Sequence, residues 1–367
     1  MPTALTASAA FASWLEHPVV QAPMAGGPSC PELAAAVCGA GGLGFLAAGL
    51  TTPEAMREEI GRLRELTGRP FGVNLFVPQP GGGFEAQAAV AAYRERLAGE
   101  AARYGTEPGQ AGPDGRDAYE AKLAALLDDP VPLVSFTFGC PPREVLAELA
   151  RAGSLTAVTV TSAAEARASA EAGADLLCVQ GVEAGGHRST HRDDPGEAGP
   201  GAGTGLLTLL AQVRDAVSLP LVAAGGLMRG EQIAAVLAAG AVAAQLGTAF
   251  LACPESGAHP LHKRALTDPA FTRTELTRAF TGRPARGLVN RFMAEHGPHA
   301  PAAYPQVQQV TAPLRRAAAA AGDPQALPLW AGQGHRLVRP LPAAELVGVL
   351  AGELAAARAA LAAGRPA

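Results

Sequence analysis

The sequence predicts an α/β fold, a closed (β/α)8 TIM barrel that carries an insertion after its third strand and a C-terminal helical extension. Short apolar runs recur over roughly the first 250 residues. Each is followed by a glycine or a proline and then by an amphipathic stretch, which is the pattern of βα units on a parallel sheet. Eight such units in about 230 residues match a closed barrel, whereas an open doubly wound sheet usually has fewer strands.

The predicted strands are runs of four to six residues rich in Val, Leu, Ala and Phe. They cover residues 19–23, 44–48, 71–76, 133–136, 156–160, 176–179, 221–224 and 243–246. The helices between them begin near a proline, as at Pro31 and Pro53, and end near a glycine, as at Gly153 and Gly173. These helices cover residues 31–39, 53–66, 142–152, 163–172, 206–216 and 230–239.

Two segments depart from this repeat. One is the insertion, about residues 78–130, which has a Pro-Gly-rich entry; the other begins after Pro254, where the strand pattern disappears. Their helix-like stretches are residues 85–104, 118–127, 312–321 and 343–363. We therefore expect a barrel at residues 1–253 and a helical extension at residues 254–367 that covers the barrel mouth.

Composition limits the classes of function. Hydrophobic residues make up 48% of the 367 residues, which is enough for a sizeable core. With 29 basic and 33 acidic side chains the formal net charge is −4, so no basic excess points to nucleic acid or an anionic membrane. Residues 233–254 are uncharged, but Gly240 and Gly247 divide them into a helix, a turn and a strand. We expect a small-molecule substrate, no nucleic-acid or membrane partner, and an oligomeric state that composition leaves open.

The cysteines indicate a reducing compartment. They are Cys30, Cys38, Cys140, Cys178 and Cys253. Because they are odd in number and form no C-x-x-C pair, neither a disulfide framework nor a zinc site is expected. The first Lys or Arg is Arg57, so the N-terminus lacks the basic segment of a secretory signal. We expect a cytoplasmic protein without a metal site.

Candidate site residues lie just after the strands, because a barrel binds its ligand at the carboxyl ends of its strands. Ala22, Pro23 and Met24 belong to the segment 21–27, whose glycines either let the backbone approach a ligand or only form a tight turn. Asn74 ends the third strand. Its amide is suited to bond both edges of a flat heterocycle, or it is a satisfied core asparagine.

Two segments predict an anion site, because successive glycine N–H groups form a nest that holds a phosphate without a lysine. Gly225 and Gly226 follow the seventh strand. The segment at the eighth strand consists of Gln245, Leu246, Gly247 and Thr248. Barrels most often bind phosphate after these two strands. The alternative is that both segments are compact turns.

The segment after the sixth strand contains the most reactive candidate. His187 follows Gly185 and Gly186, and an imidazole at a strand end is able to remove a carbon-bound proton or to hydrogen-bond a developing anion. Glu183 either orients this segment or is solvated. The Pro-Gly-rich run 193–203 forms either a lid or an ordinary surface loop.

Taken together and in this order, several segments resemble one family. They are residues 21–27, 41–44, 72–78, 136–139, 180–188, 223–226, 245–251, 279–287, 290–292, 304–305 and 330–333. The sequence resembles the FMN-dependent nitronate monooxygenases, formerly called 2-nitropropane dioxygenases, of the bacterial class I type. The resemblance extends over nearly the whole chain.

The resemblance implies FMN as cofactor and O2 as co-substrate in the oxidation of an alkyl nitronate to an aldehyde or ketone plus nitrite. It makes His187 the catalytic residue, as the base toward a neutral nitroalkane or as a hydrogen-bond partner of a nitronate. Tyr304 resembles the family's substrate-pocket tyrosine, although the residues before it depart from the family pattern. The residues implied around the flavin are Ala22, Pro23, Met24, Asn74, Gln180, Gly185, Gly186, Gly225, Gly226, Gln245, Leu246, Gly247 and Thr248.

Other functions stay open. An FMN- and NADH-dependent enoyl-acyl-carrier-protein reductase or an NADH:quinone reductase shares the barrel motifs, although residues 285–292 and 330–333 favour the monooxygenase. A flavin-free phosphate-binding lyase or isomerase on the same barrel needs a Schiff-base lysine, a metal cluster or an acid–base pair. Lys122 and Lys263, the two lysines, both lie outside the predicted strands. A non-catalytic flavin-storage protein is the last alternative.

Overall fold

The computed structural model describes residues 4–78, 84–112, 117–193 and 203–364. Its strands are β1 (Val19–Gln21), β2 (Phe45–Ala47), β3 (Gly72–Phe76), β4 (Leu133–Thr137), β5 (Leu155–Val160), β6 (Leu176–Gln180), β7 (Gly186–His187), β8 (Leu221–Ala224), β9 (Ala243–Leu246), β10 (Thr274–Thr277) and β11 (Ala285–Leu288).

Eight strands of this described part form one parallel sheet in the order β1-β9-β8-β6-β5-β4-β3-β2. The first and last strands in that order, β1 and β2, are connected by hydrogen bonds of Leu43, which precedes β2. The Leu43 N–H donates to the Val19 carbonyl at 3.0 Å, and the Leu43 carbonyl accepts from the Gln21 N–H at 2.9 Å. The sheet is therefore closed into a (β/α)8 barrel. All eight predicted strands are confirmed, and their ends shift by no more than two residues.

Helices surround the barrel, and the last of them comes from the far end of the chain. The described helices are α1 (Ala4–Ser13), α2 (Pro31–Gly39), α3 (Pro53–Leu66), α4 (Phe84–Arg96), α5 (Ala98–Arg103), α6 (Tyr119–Asp128), α7 (Arg143–Ala152), α8 (Ala163–Ala172), α9 (Leu206–Ala216), α10 (Gly230–Ala238), α11 (Thr248–Leu251), α12 (Pro260–Thr267), α13 (Arg291–His296), α14 (Gln306–Ala320) and α15 (Ala343–Ala362). Helix α15 packs against both α10 and α2 and so fills the ring position after the eighth barrel strand. Among the described helices, none combines the length and the apolar character that crossing a membrane requires.

A second, antiparallel sheet corrects the expectation that only helices follow Pro254. Its order is β10-β11-β7, with Ala285 paired with His187 and Arg286 with Gly186. The sequence gives little sign of β11, because the strand reads Ala-Arg-Gly-Leu and is buried throughout, so it shows no alternation of apolar and polar residues. This sheet holds the predicted catalytic histidine on a two-residue strand.

Two cores fix the position of the site. Phe45, Leu133 and Leu176, the first residues of β2, β4 and β6, fill the amino-terminal end of the barrel together with Phe11 of α1. Each such aromatic or leucine side chain contributes about 1.5–3 kcal/mol through burial. A separate core joins the insertion to the C-terminal segment, where the hydroxyl of Tyr93 donates to the Ala279 carbonyl at 2.8 Å. The carboxyl-terminal end of the barrel is not filled by the first of these cores and contains a cavity.

Candidate active site

A cavity of about 560 Å³ lies at the carboxyl ends of the barrel strands. Its wall includes all thirteen residues that the sequence analysis implied around a flavin, together with His187. Glycines from five different segments contribute to the wall, so backbone atoms lie directly against the cavity. The volume is typical of a cofactor or small-molecule site.

The segment after β1 is held in place by Gln21, which is fully buried. Its Nε2 donates to Ser29 Oγ at 2.8 Å and its Oε1 accepts from the Phe45 N–H at 2.9 Å. The Met24 N–H donates to the same Ser29 hydroxyl at 2.9 Å. These bonds fix the turn and present Met24 to the cavity. The segment therefore forms a tight turn and at the same time lines the cavity.

Asn74 faces the cavity from the end of β3 and has protein partners. Its Nδ2 donates to Ser135 Oγ at 2.9 Å and to Thr137 Oγ1 at 3.1 Å. The amide is thus a satisfied buried asparagine and a wall residue at once.

The two glycine segments predicted to hold an anion lie side by side, since β8 pairs with β9. Gly225 and Gly226 have φ angles of +129° and +70°, which only glycine adopts without strain. The nearby N-terminus of α10 is already occupied, because the Gly230 N–H donates to Glu353 Oε2 at 2.8 Å. The groups that could bind an anion here are therefore those of the two glycine segments and Thr248.

The segment that carries His187 is anchored at both ends. Gln180 Nε2 donates to the His187 carbonyl at 3.0 Å, and Gln180 Oε1 accepts from the Ser189 N–H at 3.0 Å. The two carboxylate oxygens of Glu183 accept from the Leu206 N–H at 2.9 and 3.1 Å, at the first residue of α9. Glu183 therefore orients this segment by capping a helix. Residues 194–202 of the predicted lid lie outside the described residues.

His187 is surrounded by aromatic rings. The ring centroids of Phe138, Tyr304 and Trp330 lie 5.5, 5.7 and 5.8 Å from its own. Its Nε2 lies 3.0 Å from Thr281 Oγ1. Burial, with a smaller contribution from the positive charges of Arg283 and Arg315, lowers the pKa of His187 to about 3. The imidazole is consequently neutral at physiological pH.

Two arginines, Arg283 and Arg315, place positive charge near His187 and were not among the predicted site residues. The guanidinium carbon of Arg283 lies 4.1 Å from the centroid of the Phe138 ring. Burial lowers the pKa of both guanidinium groups to about 10, so both stay charged at neutral pH. In the described part of the chain, Arg283 Nη1 and Arg315 Nε are buried without a hydrogen-bond partner. A ligand with acceptor atoms would satisfy such groups.

The helical pattern of the sequence could have indicated that Arg315 is buried, but no pattern could have indicated this for Arg283. Val307, Val310 and Leu314 mark the buried face of α14, and Arg315 is the next residue on that face's edge. Arg283 stands in a turn between β10 and β11, where no periodicity applies.

Tyr304, the predicted substrate-pocket residue, is not among the residues that line the cavity, but its ring lies 5.7 Å from that of His187 and 5.6 Å from that of Phe138. Its place in a substrate pocket stays a prediction. Trp330, by contrast, lines the cavity itself.

One group of possible metal ligands, Glu100, Glu295 and His296, comes together away from the cavity in the described residues. Arg291 already binds both carboxylate oxygens of Glu100, at 2.6 and 2.7 Å. The carboxylate of Glu100 is therefore already engaged in an ion pair with Arg291, and we assign no metal site to this group.

Comparison with known families decides the identity of this site. The profile of the family described as Nitronate monooxygenase matches residues 9–353. The chain belongs to the nitronate monooxygenase family. Membership in this family makes the chain an oxidoreductase whose cofactor is a flavin.

Individual members of the nitronate monooxygenase family align over most of the chain. The nitronate monooxygenase of Paraburkholderia phytofirmans is 42% identical over 93% of this chain and 93% of its own length. That of Pseudomonas aeruginosa is 41% identical over 93% of this chain and 97% of its own length.

Solved structures show the same relationship. A nitroalkane oxidase from Streptomyces ansochromogenes is 66% identical, with a TM-score of 0.93 over 96% of this chain and 99% of its own. FabK from Thermotoga maritima is 27% identical, with a TM-score of 0.72 over 95% of this chain and 96% of its own. Nitronate monooxygenases and FabK therefore share the barrel, and the higher similarity is to the nitroalkane oxidase.

Proposed function

We propose that this enzyme oxidises alkyl nitronates with O2, giving an aldehyde or ketone plus nitrite, and that its flavin is FMN. The observation that carries the proposal is the neutral His187 beside two charged guanidinium groups at a glycine-lined cavity. Family membership supports the reaction class. The local charges support the kind of substrate.

The wall of the cavity suits FMN in shape and in chemistry. A Cβ built on Gly247 would meet Ala22 Cβ at 3.5 Å and Met24 Sδ at 3.7 Å, so glycine at this position keeps the cavity open beside the first segment. Gly225, Gly226, Gly247 and Thr248 would hold the phosphate, because barrels bind phosphate after these two strands. The amides of Asn74, Gln180 and Gln245 would face the polar edge of the ring system. A bound flavin supplies the electron acceptor and the place where O2 is reduced.

The substrate end of the cavity carries positive charge. Arg315 and Arg316 belong to the wall, and Arg283 lies directly behind His187 and Phe138. Among the described wall residues there is no Asp or Glu. Two unit charges 4 Å apart interact by about 4 kcal/mol at an effective dielectric constant of 20. A nitronate, which carries negative charge on its nitro group, matches this field.

The aromatic side chains control access of water to His187. Phe138, Tyr304 and Trp330 cover three sides of the imidazole, and Phe76 packs against Phe138 with ring centroids 4.7 Å apart. Removing water strengthens the interaction between the arginines and an anionic substrate.

A reductase that takes electrons from NADH is the second candidate, because the barrel is similar to that of FabK. Oxygen consumption by the flavin-loaded protein separates the two. Ethyl nitronate in air without NADH is expected to cause rapid oxygen uptake with release of nitrite. Oxygen uptake that requires NADH and yields no nitrite would overturn the proposal in favour of the reductase.

A further inference from the structure

The hydroxyl of Thr281, a residue of the cavity wall, contacts three polar atoms, one of them on the imidazole of His187. Thr281 is 3% exposed and stands in the turn between β10 and β11. Its Oγ1 lies 3.0 Å from His187 Nε2, 3.2 Å from the Arg283 carbonyl oxygen and 3.4 Å from the Arg283 backbone nitrogen.

Counting hydrogens fixes the direction of these three bonds. A hydroxyl has one hydrogen to donate and two lone pairs to accept with. The Arg283 N–H is only able to donate and the Arg283 carbonyl is only able to accept. If the Thr281 hydrogen goes to that carbonyl, all three contacts are satisfied when His187 Nε2 carries the remaining hydrogen. The opposite assignment leaves two oxygen lone pairs facing each other inside the protein, which is unfavourable.

We infer that Thr281 is a positioning residue that holds His187 in the Nε2–H tautomer and so makes Nδ1 the basic atom of the site. In the described part of the chain no protein group hydrogen-bonds Nδ1, and His187 lines the cavity. The antiparallel pairing of His187 with Ala285 in β11 keeps the imidazole and the Thr281 turn together.

This tautomer has a chemical consequence, which rests on the proposed function. Because its lone pair has no hydrogen-bond partner among the described residues, Nδ1 is free to accept the α-proton of a neutral nitroalkane. The C–H bond breaks, its electron pair moves into the nitro group to give the nitronate, and the proton forms a bond to Nδ1. The neighbouring arginines stabilise the negative charge that develops on the nitro oxygens. The enzyme is therefore expected to oxidise nitroalkanes as well as nitronates. Nitroalkane oxidation requires the proton transfer to Nδ1, and so depends on Thr281, whereas nitronate oxidation does not require this transfer.

The tautomer itself is measurable without turnover. Nitrogen-15 NMR of the flavin-loaded protein with labelled histidine distinguishes a protonated ring nitrogen from an unprotonated one. The chain has 8 histidines, and H187Q identifies the signals of His187 by their loss. We expect Nε2 protonated and Nδ1 unprotonated in the wild type. An Nδ1–H tautomer in the wild type would overturn the inference, whatever the activity.

Two variants test the cause. T281V keeps the shape and removes the hydroxyl, whereas T281S keeps the hydroxyl. We expect T281V to populate the Nδ1–H tautomer and to lower kcat for nitroethane about tenfold or more with little change in KM, because a general base contributes about 10²–10⁴-fold. T281S should restore both the NMR signature and kcat. The ratio of kcat for nitroethane to kcat for ethyl nitronate should therefore fall in T281V and recover in T281S.

Each failure has a distinct meaning. An unchanged tautomer and unchanged nitroethane kcat in T281V overturn the role of Thr281. If the wild type has the Nε2–H tautomer but oxidises neither nitroethane nor ethyl nitronate, the role of Thr281 is supported. The proposed function is then overturned.

Discussion

The guanidinium group of Arg283 lies over the face of the Phe138 ring, 4.1 Å from its centroid, and the rings of Phe76 and His187 also pack against Phe138. Phe138 has a φ of +74°, a backbone conformation that is strained for a bulky residue. These three contacts keep Phe138 in this conformation. The pair of Arg283 and Phe138 thus links a buried charge to the position of the His187 imidazole.

Replacing Arg283 tests the role of positive charge. R283M should raise KM for ethyl nitronate about tenfold or more while leaving KM for nitroethane nearly unchanged, since only the anion feels the lost charge. The cation–π contact is worth about 2 kcal/mol when desolvated, so the free energy of unfolding should fall by a similar amount. R283K keeps the charge and is the matched control. Equal KM changes for both substrates in R283M would contradict the electrostatic account.

Replacing His187 tests its assignment as the reactive side chain. H187N should bind flavin with the same absorbance spectrum as the wild type and lose about 10²–10⁴-fold in kcat/KM for nitroethane. The matched control is H262N, because His262 lines the same cavity and donates to the Trp330 carbonyl at 2.9 Å. Steady-state oxygen uptake by H262N should stay within about tenfold of the wild type. A larger loss in H262N than in H187N would move the catalytic role to the other histidine.

The lowered pKa of His187 predicts how stability depends on pH. Below pH 6.5 the unfolded chain binds a proton at this imidazole, whereas the folded protein does so only near pH 3, so stability falls as the pH decreases through this interval. Between pH 7 and pH 5 the loss due to His187 is about 2 kcal/mol. Urea unfolding of H187Q with saturating flavin should show a decrease smaller by that amount. His262, whose pKa burial lowers to about 4, predicts a change of the same sign for H262Q. Parallel pH dependences in wild type and H187Q would show that folding does not lower the pKa of His187.

The buried ion pair between Lys122 and Asp117 supports the cavity from the insertion. Lys122 Nζ lies 2.8 Å from the Asp117 carboxylate and donates to the Ala48 carbonyl at 2.7 Å, while Asp117 accepts from the N–H of Leu50, a wall residue. K122M should cost about 3 kcal/mol of unfolding free energy, because it leaves Asp117 unpaired. The double variant K122M/D117N should cost less than the sum of the two single variants. Strict additivity in chemical denaturation would show that the pair is not coupled.

Local signals in the sequence predicted the barrel and the glycine segments. Strand period, proline at helix starts and glycine at helix ends depend on neighbours along the chain, which is why the eight barrel strands are confirmed within two residues. The place of His187 followed from the rule that ligands bind at the carboxyl ends of the strands.

Non-local pairing accounts for what the sequence analysis did not find. A two-residue strand such as β7 has no pattern of its own and exists because β11 pairs with it. That pairing delivers Thr281 and Arg283 to His187, so neither residue was predicted as part of the site. The position of α15 between α10 and α2 likewise depends on barrel closure rather than on its own sequence.

Anaerobic mixing of the flavin-loaded protein with ethyl nitronate tests the central claim most directly, because it follows the first electron transfer at the cavity without oxygen. Nitronate oxidation at this site predicts that ethyl nitronate alone changes the flavin absorbance band rapidly, that NADH alone leaves it unchanged, and that admitting air restores the band with release of nitrite. Bleaching of the band by NADH, with no response to ethyl nitronate, would contradict the account and identify a reductase.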